Sequence, residues 1–284
     1  DEYITMGLAA YGKPQYLMDP WLPYHTGKDF AGDHADIAAS AQKIVEDEVV
    51  KIMKRARKYS SHLCYGGGVA LNCVANSAFH HMFDKIWIMP NPGDAGSSLG
   101  AAAAINGKML NWTGPYLGTN INREINPKEV VDFLLDKSIC GIANGRAEFG
   151  PRALGNRSLI ADPRKDLKDT INTIKKRQKY RPFAPAILEE HAKYYFDGPM
   201  NEYMQFVAKA KHDHKAVTHV DGTARVQVVT PWCKSILRPI LEEWYDKTGC
   251  PMLLNTSLNI KGQPIVNDIA DADAFEKMYG VKVF

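Results

Sequence analysis

Twice within the first hundred residues, a short run of strand-forming residues ends in glycine and gives way to a helix. Residues 63–65 lead into Gly66-Gly67-Gly68, and residues 85–89 lead into Pro90-Asn91-Pro92-Gly93-Asp94-Ala95-Gly96. After the second turn, Ser97 or Ser98 opens a small-residue helix over 99–105. Strand, glycine turn and helix in succession are the grammar of an α/β fold, because each helix must pack back onto the strand it follows. Upstream, Ile37, Ala41, Ile44, Val45, Val49, Ile52 and Met53 repeat at helical spacing and predict one long helix over 37–59, capped by Asp33 or Asp36.

Beyond residue 110 the text changes. Gly, Pro, Thr and Asn dominate, apolar periodicity fades, and a linker is expected over 114–126. Asn126-Pro127-Lys128-Glu129 then reads as an N-cap, a proline at the first helical position and an acid at the third. A helix to 135, a strand over 139–142 and a helix over 166–175 come next. Strands are expected over 203–207, 226–229, 252–254 and 265–266, and helices over 231–246 and 271–278. The fold class is therefore α/β and α+β, with two domains meeting near residue 120.

Composition narrows the function less than it narrows the fold. Of 284 residues, 35 are Lys or Arg and 32 are Asp or Glu. The surplus of three charges is too small to argue for nucleic acid or a membrane surface, so cationic chemistry has to come from local clusters. The five cysteines, at 64, 73, 140, 233 and 250, form no C-x-x-C pair. They read as reduced, mostly buried thiols, and no apolar run is long enough to span a bilayer, so a cytoplasmic location without membrane partners is expected. The chain starts at Asp1 and reads as the later part of a longer protein.

Several segments carry chemistry. Gly66-Gly67-Gly68 before a helix lets backbone N–H groups approach an anion, although a ligand-free tight turn has the same form. Asp94, in the second glycine turn, can hold a metal, bind a ribose hydroxyl or cap the next helix, and spacing alone favours the cap. In Glu148-Phe149-Gly150-Pro151-Arg152-Ala153-Leu154-Gly155-Asn156-Arg157-Ser158, two arginines alternate with two glycines, a mixture suited to bidentate recognition of phosphate or carboxylate on an irregular loop. Lys175-Lys176-Arg177-Gln178-Lys179-Tyr180-Arg181 places five cations in seven residues before Pro182, where a helix must stop by Tyr180 or Arg181. A solvated helix face is the plain alternative. His219-Val220-Asp221-Gly222-Thr223-Ala224-Arg225 delivers an arginine from a turn onto a strand, and Asn255-Thr256-Ser257-Leu258-Asn259 is a hydroxyl-rich turn after a buried strand. Four loops supplying cations and hydroxyls to one domain suit an anionic, polyphosphate-bearing ligand.

These residues, together with Met6-Gly7-Leu8-Ala9-Ala10-Tyr11-Gly12-Lys13-Pro14 and Gly67-Gly68-Val69-Ala70-Leu71-Asn72, resemble the NodU/CmcH family of O-carbamoyltransferases along nearly the whole chain. The resemblance implies that residues 1–113 are the second lobe of an actin-like (ASKHA) ATPase fold and that residues 127–284 are a YrdC-like domain. It implies that the YrdC-like domain makes carbamoyl-adenylate from ATP and carbamoyl phosphate, and that the actin-like domain passes the carbamoyl group to a hydroxyl of a small-molecule acceptor. By the same resemblance, Lys175, Arg181, Arg225, Ser257 and Asn259 grip the nucleotide phosphates. Arg152, Asn156 and Arg157 bind carbamoyl phosphate or shape the loop of its pocket, His219 and Asp221 serve the substrate, and Gly67, Gly68 and Asn72 form a nucleotide loop. Asp94 would complete a divalent metal site, for Mg or Fe, whose histidine ligands belong to an earlier lobe. That lobe is an expected partner, in this chain or a separate one.

Two other readings remain. A threonylcarbamoyl-type tRNA-modifying enzyme shares the implied folds, but the small net charge and lack of a basic stripe leave nucleic acid unexpected as a partner. A non-catalytic half that pairs with a chain carrying the other lobe would keep an exposed apolar face for docking.

Overall fold

The computed structural model describes residues 2–16, 33–259 and 262–284. Helix α1 (Glu2–Ala9) leads, by way of residues 13–16, to the side of α2 (His34–Ala56). Of the two candidate caps, Asp33 does the work, its carboxylate accepting from the Ala35 N–H at 2.8 Å. Strand β1 (His62–Tyr65) runs parallel to β2 (Lys85–Ile88), and α3 (Cys73–Phe79) crosses between them. Val49 and Met53 of α2 meet Phe79 and Phe83 beneath this pair. Helix α4 (Ser97–Asn106) follows the second glycine turn with none of its ten residues buried.

The segment expected as a linker contains β3 (Tyr116–Ile121). A string of Gly, Thr and Asn hides its strand character, which comes from antiparallel pairing with β5 (Gly145–Glu148). Helix α5 (Pro127–Lys137) starts as its sequence predicts, with the Asn126 side chain accepting from the Lys128 N–H. A mixed five-stranded sheet organises the second half of the chain. It comprises β4 (Ile139–Ala143), β6 (Arg157–Ala161), β7 (Ala184–Leu188), β11 (Gln227–Val229) and β12 (Met252–Ser257) in the order β11-β7-β12-β6-β4. Only β11 and β7 run parallel. Residues 282–284 bond to the free edge of β4, where a Cβ on Gly141 would stand 2.8 Å from a Val283 methyl. Helices α5 and α8 (Leu237–Thr248) pack together and α9 (Ile269–Tyr279) lies by β4, with Trp244 wholly buried. Between the sheet strands run α6 (Lys168–Ile174) and α7 (Glu189–Tyr195), and a small sheet joins β8 (Phe196–Asp197), β9 (Ala208–Ala210) and β10 (Thr223–Ala224).

Three expected elements differ. Residues 203–207 form no strand, because the Asn201 side chain accepts from the Tyr203 and Gln205 N–H groups and turns the chain. Gln205 instead donates to the Ile88 and Met89 carbonyls at 2.9 and 3.1 Å, and the Ser77 hydroxyl exchanges bonds with the Val207 backbone. That segment pins the β1–β2 unit to the five-stranded sheet. Helix α8 begins at Leu237 rather than 231, where the Ser235 hydroxyl accepts from the Leu237 N–H. Residues 265–266 make a single backbone bond, from Val266 to Leu258, and no strand.

Candidate functional site

A cavity of about 330 Å³ opens where the first hundred residues meet the small sheet and the loop after α6. Arg152, Arg177, Arg181 and Arg225 all line it, along with His219 and Asp221. The opposite wall comes from α1, its following turn and α2, including Tyr3, Met6, Gly7, Gln42, Lys43 and Glu46. Among the described residues, none of the four arginines forms an ion pair. Burial and the charges of their neighbours draw the Arg152, Arg177 and Arg181 guanidinium groups below the usual range. The acids on the wall are otherwise engaged, Glu46 by the Gln42 amide and Asp221 by the Thr223 N–H and hydroxyl. Gathering unneutralised cations away from water is costly, and an anionic ligand is what offsets it.

Chain geometry selects which cations of the basic run turn inward. Helix α6 ends at Ile174, earlier than Pro182 requires, with Lys175 as its C-cap. Lys176 then takes a left-handed φ of 48°. Its side chain lies over Tyr279 in solvent, Lys179 pairs with Asp169 in solvent, and Arg177 faces inward over the Phe183 ring. Lys175 itself is buried. Its ammonium donates to the Ser257 carbonyl, to the Ser257 hydroxyl at 3.2 Å and to the Asn259 side-chain oxygen at 2.7 Å. Burial, then the Arg177 and Arg181 charges, push it down to about 7. Lys175, Ser257 and Asn259 are thus one cluster, and Arg181 and Arg225 belong to the cavity beside it.

Other expected residues serve the scaffold. Arg157 is buried, and its guanidinium donates to the carbonyls of Asn144, Gly145, Asn156, Thr119 and Asn267 at 2.8–3.2 Å. Those donors are spent on backbone carbonyls and the side chain lies outside the cavity lining, so Arg157 shapes the chain around the pocket. Asn156 likewise donates to the Arg146 carbonyl at 2.8 Å. Both sit on a loop anchored by Glu148, whose carboxylate accepts from the N–H groups of Leu154, Asn156 and Arg157. Gly150 and Gly155, with φ of 153° and 120°, let that loop carry Arg152 to the cavity. Asp221 holds its own turn, and His219 donates through Nε2 to the Gly7 carbonyl.

The glycine turns lie beside each other, the Gly67 N–H donating to the Pro92 carbonyl at 2.8 Å. Gly67 has a φ of 97° and open space where a Cβ would stand, and the same space is open at Gly68. Asn72 caps α3 through the Ala75 N–H and exchanges amide bonds with Gln42, so its side chain is spent on structure. Arg152 donates to the Leu71 carbonyl, linking this turn to the cavity. Asp94 is exposed and caps no helix with its side chain. No group of three His, Cys, Asp or Glu side chains among the described residues is placed to hold an ion, so Asp94 is not part of a metal-ligand cluster there.

Arg177, Tyr3 and Glu148 are the participants that sequence reasoning left without a role. Arg177 was visible within the basic run, but only the left-handed Lys176 separates its direction from that of its neighbours. The cysteines are all free, with Cys64 exposed and Cys73, Cys140 and Cys250 buried. No helix of the described residues is long and apolar enough to cross a membrane.

A mixed α/β chain that brings four arginines without ion pairs to one open cavity has the make-up of a protein that handles anionic ligands. Comparison with known proteins gives this a family. A family model described as the carbamoyltransferase C-terminus matches residues 131–283, and one described as the carbamoyltransferase N-terminus matches residues 23–103. The chain belongs to the carbamoyltransferase family. Nodulation protein NolO of Bradyrhizobium diazoefficiens is 33% identical over 340 residues, covering 96% of this chain and 62% of its own. Nodulation protein NolNO of Sinorhizobium fredii is also 33% identical over 340 residues, covering 96% of this chain and 50% of its own. The chain therefore spans between half and two thirds of the length of these relatives. Among solved structures, full-length HypF in its phosphate- and nucleotide-bound form is similar over 57% of this chain and 21% of its own, at 17% identity and a TM-score of 0.38.

Proposed function

We propose that this chain is part of an ATP-dependent O-carbamoyltransferase and that its arginine-lined cavity makes carbamoyl-adenylate from ATP and carbamoyl phosphate. The observation that carries the reading is the convergence of Arg152, Arg177, Arg181 and Arg225 on one cavity with no ion pair among the described residues. Both substrates are phosphates, and forming a mixed anhydride between them requires neutralised charge and held geometry. Release of both pyrophosphate and phosphate balances only when one water is consumed. That water takes the phosphoryl group from carbamoyl phosphate, and the resulting carbamate oxygen displaces pyrophosphate from the α-phosphorus of ATP. Arg152, Arg181 and Arg225 hold phosphate oxygens, and Lys175, steadied by Ser257 and Asn259, supplies a further cation. Each charge-assisted bond contributes about 1.5–3 kcal/mol.

In this reading residues 127–284 are the YrdC-like unit, residues 1–113 are a lobe of the actin-like unit, and the activated carbamoyl group passes to a hydroxyl of a small-molecule acceptor. The glycine turns at Gly67–Gly68 and Asp94 are the nucleotide-facing part of that lobe. A second reading, a half that works only with another polypeptide lobe, is favoured by α4, none of whose residues is buried within the described residues.

The test is ATP–pyrophosphate exchange by the full chain, with and without carbamoyl phosphate, beside a Lys175→Ala variant. Exchange that needs carbamoyl phosphate and falls at least tenfold in the variant is expected. A folded chain that binds ATP but shows no exchange would contradict the first reading and leave the second.

A further inference from the structure

The wall of the cavity opposite the arginines is held differently on its two sides. Gly7 is the only buried residue of α1, which packs along α2 rather than into the main core. Its base is fixed. The Lys13 N–H donates to an Asp36 carboxylate oxygen, the Tyr16 N–H to the Ser40 hydroxyl, and Gly12 sits so close to Ala35 that a Cβ would overlap its carbonyl. Its far side touches the second half of the chain through few and mostly polar contacts. His219 Nε2 lies 3.0 Å from the Gly7 carbonyl, and its ring meets the Tyr11 ring edge-on at 5.5 Å. The Tyr11 hydroxyl donates to the Tyr180 carbonyl and accepts from Lys168, and Tyr3 stacks on the Arg181 guanidinium at 4.8 Å.

We propose that α1 and residues 10–11, hinged where Gly12 and Lys13 are held against α2, are a movable wall of this cavity, and that His219 is the positioning residue that latches it shut over a bound anion. The proposal rests on the reading of the cavity as an anion site. A carbonyl can only accept, so His219 carries its proton on Nε2 and presents Nδ1 as a bare acceptor. That atom is buried with no partner. An unmet acceptor costs about as much as one hydrogen bond returns, so the closed arrangement is held by a narrow margin, as an element that must open requires. Ligand bound to Arg181 favours closure because the same guanidinium carries Tyr3 of the wall.

Cys73 makes the motion measurable. It is buried on the cavity side, its sulfur 4.0 Å from that of Met6 on α1, so a wall that swings away uncovers it. Cys140, buried in β4, reports global unfolding, and exposed Cys64 reports reagent activity. The experiment follows iodoacetamide labelling of each cysteine in the full chain by peptide mass spectrometry. His219→Ala leaves the Gly7 carbonyl without a donor and removes the ring against Tyr11, which should raise the Cys73 rate roughly three- to tenfold while Cys140 stays slow. His219→Gln keeps an N–H in reach of the Gly7 carbonyl and should restore a rate near that of the unaltered chain. Saturating pyrophosphate should slow Cys73 in the unaltered chain.

An unchanged Cys73 rate in His219→Ala overturns the latch. Should that variant also expose Cys140, Tyr11→Ala decides on the same comparison: a rise confined to Cys73 supports the proposal, and no rise defeats it. If calorimetry shows that pyrophosphate does not bind at all, the anion reading fails, while the rates without ligand still judge the latch.

Discussion

The Lys175 ammonium donates to the Asn259 side-chain oxygen at 2.7 Å, with Ser257 as its other partner and no carboxylate paired with it among the described residues. A lysine held by neutral oxygens and faced by the Arg177 and Arg181 charges gives up its proton more readily than one in water, hence its fall to about 7. Between pH 7 and 10.5 the unfolded chain keeps this proton and the folded, unliganded chain does not. Its contribution to stability is therefore full above 10.5 and lost as pH falls to about 7. A bound polyphosphate reverses the preference and draws the proton back. Pyrophosphate titrations at about pH 8, inside that window, in buffers of differing ionisation enthalpy, should show proton uptake approaching one per site, abolished in Lys175→Ala. Heats that are independent of buffer would contradict the prediction.

Arg225 separates stability from binding. Its Nε is buried without a partner, and its charge opposes those of Arg152 and Arg181. Arg225→Met should leave the melting temperature of the unliganded chain unchanged or raised, because an uncompensated cation is gone. It should weaken pyrophosphate binding at least tenfold, as expected for a lost charge-assisted bond. Thermal melts with and without pyrophosphate check both halves at once. A variant that melts lower yet binds as before would place Arg225 in the scaffold.

Arg157 behaves in the opposite way. Its guanidinium satisfies carbonyls from four separate stretches of chain, so Arg157→Met leaves several buried acceptors unmet. A loss of about 3–5 kcal/mol is expected in urea unfolding. Pyrophosphate affinity of the folded fraction should change less than about twofold, because the Arg157 side chain does not line the cavity. Affinity that collapses while stability holds would return Arg157 to the substrate.

The order of elements and the site region were legible in the chain, and the reason is local. Asn126-Pro127 and the spacing from Ile37 to Met53 announce helices through capping and periodicity, which need no tertiary context. The strand at Tyr116–Ile121 was not legible, because Gly118 and Asn120 break up its strand formers and the pairing with Gly145–Glu148 decides it. The site divides in the same manner. A basic run before proline marks where cations gather, but the left-handed Lys176 decides that Lys175 and Arg177 turn inward and that Lys176 does not. Two arginines five residues apart, Arg152 and Arg157, look alike in sequence. Only the Glu148-anchored loop sends one to the cavity and spends the other on backbone.

A crystal structure of the full chain with a non-hydrolysable ATP analogue tests the central claim most directly. Phosphate density is expected among Arg152, Arg177, Arg181 and Arg225, within reach of the Lys175 ammonium. Phosphates seated on the Gly67–Gly68 turn, with the arginine-lined cavity left empty, would contradict it.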